Sequence, residues 1–164
     1  MVPRALRPAS LLAALALAPI VLEGAPAGAL SGVPAGVEAL LGAVGTLGGV
    51  NAYATFMAIG AVADGWVRET YDADTAVRVV GVLKTLVRSA ADSLEELIRS
   101  GVLREDDRVY LRGVTEVYGR LEAEAASFVV WVQTGERRSF DEARAMAWKT
   151  ILDTLALPRE EALE

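Results

Sequence analysis

The sequence predicts an all-α protein: an up-down-up-down four-helix bundle preceded by a signal-like N-terminal helix and a Gly/Ala-rich linker. Three observations predict it. Leu111, Val114, Tyr118, Leu121, Ala125, Phe128 and Val132 recur at alternating intervals of three and four, an unbroken heptad stripe on one helix face. Ala76, Val80, Leu83, Val87, Ala90, Leu94 and Leu97 repeat the pattern just upstream. Short turn-forming segments separate these stripes from each other and from two weaker ones, and short connections make successive helices antiparallel neighbours. No segment shows the alternation of a strand.

Residues 1–29 read as an export signal. Arg4 and Arg7 precede an apolar run over residues 11–22 that is too short for a full span, with Pro19 near its end. Ala25, Ala27, Gly28 and Ala29 then supply small residues in a cleavage-like spacing. The expected location is therefore periplasmic or extracellular, and the alternative is an uncleaved inner-membrane anchor. Residues 30–49 carry Pro34, one charge (Glu38) and glycines at 42, 45, 48 and 49. Each glycine weakens a helix by about 1 kcal/mol relative to alanine, so this stretch reads as an apolar linker or frayed helix.

The bundle is expected over residues 50–157. Ala52, Phe56, Ile59, Ala63, Trp66 and Thr70 give the first helix an inward stripe. Asn51, Ala54, Met57, Ala58 and Ala61 on its other face are nearly all apolar too, so something must cover them. The candidates are residues 37–47 folding back, a partner protein, or lipid. Residues 39–63 hold no charge and are long enough to cross a bilayer, which makes a transmembrane helix the second reading. Thr46, Asn51, Tyr53 and Thr55 in the middle of that stretch count against it.

Asp72 or Asp74 is expected to cap the second helix, which runs to about Arg99 and stops at Gly101. Glu105, Asp106 and Asp107 suit the first turn of the third helix, where the dipole favours negative charge. Gly135 ends it. Ser139 and Glu142 have the spacing of a capping box for the last helix, whose inward residues are Phe140, Ala143, Ala147, Ile151 and Leu155. Pro158 stops that helix, and residues 158–164 form a charged tail.

Composition narrows the chemistry. The chain has no cysteine and no histidine. That removes thiolate sites, histidine-based triads and the Glu-x-x-His ligands of dimetal bundles. A formal charge of −6 with scattered arginines disfavours nucleic acid, which needs concentrated positive surface. The glycines at 42, 45, 48 and 49 lack the flanking strand and lysine of a phosphate loop. No enzyme activity, metal or cofactor is expected.

The expected function is that of an exported, non-catalytic bundle binding a partner protein or small ligand, with a membrane surface or a second copy as further partners. Met57, Ala61, Val82, Val130, Trp131 and Trp148 are the candidate surface: apolar residues at helix edges, several of which an antiparallel bundle brings to one end. A carboxylate-dependent hydrolase using Asp64, Glu122 and Glu124 is the third reading.

Overall fold

The computed structural model describes residues 35–155. The expected signal over 1–29 and the charged tail over 158–164 lie outside the described residues. Four helices follow one another: α1 (Ala35–Val67), α2 (Ala73–Arg99), α3 (Glu105–Thr134) and α4 (Arg138–Leu155). Among the described residues there is no strand.

The helices form a flattened bundle. α3 touches all three other helices, while α2 and α4 do not touch each other among the described residues. α1 and α3 run parallel, since Gly45 meets Tyr110 and Trp66 meets Trp131. α4 runs antiparallel to both: Thr154 lies against Gly113, and Leu155 against Gly49.

The heptad stripes do what their spacing demands. Leu111, Val114, Tyr118, Leu121, Ala125 and Phe128 are buried, as are Ala76, Val80, Val87 and Leu94 facing them. α3 buries a second line as well, Val117, Glu124 and Trp131, seven residues apart. A helix covered on several sides needs more than one inward stripe; α1 also meets the other three helices, but α3 makes the more extensive contacts with α2 and α4.

The expected boundary at residue 50 is absent. Residues 35–49 are the opening turns of α1, the helical of the two alternatives expected there, and not a linker or a segment folded back over it. The glycines that lower helix propensity here also let another helix approach. A Cβ on Gly49 would lie 2.9 Å from Leu155 Cδ2, and one on Gly45 3.0 Å from Tyr110 Cε1. Tyr110 and Tyr118 use this close approach to donate their hydroxyls to the carbonyls of Gly45 (3.2 Å) and Gly48 (3.0 Å). Tertiary packing thus offsets a propensity cost of about 1 kcal/mol per glycine.

The helix ends are locally specified. Asp72 caps α2 by accepting from the Thr75 backbone N–H at 2.6 Å, and that bond lowers its pKa. Gly101 and Gly135 take positive φ just past α2 and α3, and the Gly135 N–H reaches the Trp131 carbonyl at 2.8 Å. The Ser139 capping box does not form. α4 starts two residues earlier than that box requires, at Arg138, and Glu142 instead accepts from Arg138 Nε at 2.8 Å.

α1 ends without a glycine. Glu69 holds φ 60° while Thr70 N–H donates back to the Gly65 carbonyl at 2.7 Å. A left-handed conformation costs a residue with a Cβ about 1 kcal/mol, less what glycine loses in entropy. Glu69→Gly is therefore expected to stabilise the protein by about 0.5–1 kcal/mol, read as a raised thermal midpoint. A lowered midpoint would contradict this account of the turn.

Candidate functional site

A groove of about 550 Å³ opens between α1, α3 and α4. α1 contributes Thr46, Gly49, Val50 and Tyr53; Tyr110 comes from α3; Trp148, Leu152 and Leu155 come from α4. Its shape follows from the glycine-rich half of α1. Gly49 leaves room for Leu155 to seat against the helix backbone, and Tyr110 is fixed by its bond to Gly45. Trp148 stacks on Phe56 with centroids 5.3 Å apart and meets Tyr53 at 6.2 Å. These contacts hold the indole as a wall.

The groove is electrically neutral. None of the side chains lining it carries a charge. Burial pushes the Tyr110 phenol above its ordinary pKa, which keeps it protonated. The Tyr53 hydroxyl and the Trp148 indole N–H make no hydrogen bond among the described residues. An uncharged apolar surface with a few polar atoms suits a small apolar molecule, and the volume lies in the range of drug-sized ligand pockets.

Behind Trp148 lies a buried ion pair. The Glu124 side chain is fully buried, and its Oε1 accepts from Arg144 Nη1 at 2.5 Å. The same nitrogen donates to the Phe56 carbonyl at 3.1 Å, and the guanidinium carbon sits 3.9 Å from the centre of the Phe56 ring. Glu124 Oε2 has no partner among the described residues. Burial pushes the Glu124 pKa up to about 7 against the opposing pull of Arg144. Gly60 lies directly beside Arg144, and a Cβ there would collide with the guanidinium. Arg144 also borders a small cleft of about 140 Å³ shared with Gly60, Asp64, Arg137 and Trp131.

Comparison with protein-family models, with curated proteins and with solved structures finds no match to this chain.

The residues singled out from the sequence fall in different places. Trp148 lines the groove. Met57 and Ala61 are exposed on α1, Val82 on α2 and Val130 on α3. Trp131 is not a surface residue. It is 6 % exposed and packs edge-on against Trp66 and Phe128 and flat against Phe140, with Arg137 over its ring. An indole offers too much apolar area to leave at a rim when three other rings can cover it.

Nor do the α3 carboxylates converge. Glu122 turns to Arg88 of α2 at 3.4 Å, and Glu124 turns to Arg144 of α4. Asp64 is exposed on α1 at the small cleft. Half of the groove's α1 wall, Thr46 and Gly49, lies in the stretch read from sequence as an apolar linker or frayed helix, and the candidate surface missed it. Gly45 and Gly49, four apart and in phase with Ala52 and Phe56, were the available signal.

Proposed function

We propose that this protein is a non-catalytic binding protein whose α1–α3–α4 groove takes a small, neutral, apolar ligand. One observation carries this: a concave space of about 550 Å³ walled by three aromatic side chains and aliphatic neighbours, with no charge in its lining. An ionised ligand would lose its hydration there and gain no partner. The export signal expected from residues 1–29 agrees with a role for such a protein outside the cytoplasmic membrane. The absence of histidine and cysteine supports a non-catalytic role.

A neutral fluorescent probe, N-phenyl-1-naphthylamine, tests the groove. It is expected to bind saturably at one site, with quenching of indole emission as Trp148 comes into contact with it. Thr46→Trp places a bulky ring at an exposed position on the groove wall and is expected to weaken binding about tenfold or more, worth about 1.4 kcal/mol. Saturable binding that Thr46→Trp leaves unchanged would assign the probe elsewhere and overturn the proposal.

The membrane reading draws on a different observation. α1 is the helix, among the described residues, long and apolar enough to cross a bilayer, and much of it is exposed. Against a span stand the contacts made to α1 from outside it. Tyr110 and Tyr118 of α3 and Arg144 of α4 all donate to its carbonyls. Keeping those bonds in lipid would draw the half-buried Arg144 and its buried glutamate into the bilayer, at about several kcal/mol.

A further inference from the structure

α1 carries two seams. The inner one, Gly45, Gly49, Ala52, Phe56, Ile59 and Ala63, steps at four and three and is buried in the bundle. The outer one, Leu40, Ala43, Leu47, Val50, Ala54, Met57 and Ala61, steps at three and four without a break, and every member is exposed. Its large residues, Leu40, Leu47, Val50 and Met57, are each 50–62 % exposed. Residues 35–49 continue the helix and do not shield this face, and no other described helix lies on it.

Unbroken heptad spacing is the pattern by which a helix seats its side chains between those of a facing helix, and a water-facing surface has no need of it. The stripe runs from residue 40 to 61, about 31 Å at 1.5 Å per residue, or about three heptads. A helix lying in a lipid headgroup layer flanks its apolar face with lysine and arginine. α1 contains neither. Selecting an unlike partner helix relies on charges flanking the seam, and residues 39–63 carry none. The protein as a whole bears −6, so two copies repel wherever their charged faces meet. The outer face of α1 is where that repulsion is weakest.

We infer that the outer seam of α1 is a self-association surface, on which a second copy of this chain lays its own α1. Val50 belongs both to the seam and to the groove, so the second copy borders the mouth of the groove. The inference does not rest on the ligand proposal.

Sedimentation equilibrium of the purified full chain, over about 1 to 100 µM, tests it. A dimer is expected. Leu47→Glu and Ala54→Glu, both at exposed positions, are each expected to weaken it at least about tenfold with unchanged helical circular dichroism. A monomer throughout that range overturns the inference. So does a dimer that survives both substitutions, since association would then lie elsewhere. A monomer that floats with phosphatidylcholine vesicles also overturns it and assigns the face to lipid. Probe binding impaired by Thr46→Trp but not by Ala54→Glu separates the groove's fate from the seam's.

Discussion

Arg144→Ala is expected to destabilise the protein by about 3–5 kcal/mol, measured by urea denaturation at pH 8. The substitution leaves Glu124 fully buried with neither oxygen paired and also strips the Phe56 carbonyl of its added donor. Breaking a buried pair costs far more than the pair's own net contribution, because an uncompensated charge stays behind. Replacing both partners with apolar residues of similar volume, Glu124→Leu with Arg144→Met, is therefore expected to be nearly neutral. A double variant as unstable as Arg144→Ala would show that packing around Arg144, not stranded charge, dominates.

The same pair makes stability depend on pH. Glu124 has its folded-state pKa raised from 4.5 to about 7, chiefly by burial. The folded protein therefore binds a proton that the unfolded chain has released, and its stability falls as pH rises. The contribution is fully present below about 4.5 and is lost through about 7, on the order of 3 kcal/mol. The Arg144→Ala penalty should accordingly be smaller at pH 5, where Glu124 is protonated and neutral, than at pH 8. Equal penalties at the two pH values would mean that Glu124 does not titrate in the folded protein.

Phe128→Ala is expected to cost about 3–5 kcal/mol, the range for removing a buried aromatic side chain. Phe128 is fully buried, and Trp66, Trp131 and Phe140 all meet its ring within 6.0 Å. Three helices supply those partners, so no single side-chain shift can fill the space it leaves. Val130→Ala, two residues on and largely exposed, is expected to stay within about 0.5 kcal/mol of wild type. Comparable losses at the two positions would contradict the burial of the aromatic cluster at the end of the bundle where α1, α3 and α4 meet.

The sequence carries the helices more plainly than the site. The stripes at 76–97 and 111–132 were legible because packing there follows local periodicity alone, and the Asp72 cap and Gly135 stop because each acts within a few residues. Residues 35–49 were not legible. Five glycines argue against a helix until Tyr110, Val114 and Leu155, more than sixty residues away in the chain, are known to pack against three of them. Glu124 sits in heptad phase with Val117 and Trp131, which marks it as inward. Its partner lies on another helix, and no spacing rule joins 124 to 144. Trp131 shows the converse: its in-phase position was visible, but the rings that cover it come from α1 and α4.

α2 contributes nothing to the groove, the ion pair or the outer seam of α1, and it never meets α4. The molecule is thus divided in labour. Three rods frame everything chemically distinctive, while the fourth only shutters the far side of the interior. Evolution or an engineer could rewrite that shutter's outward residues, or hang a fused domain from it, without the reshaping ever reaching the groove framed by the other three helices.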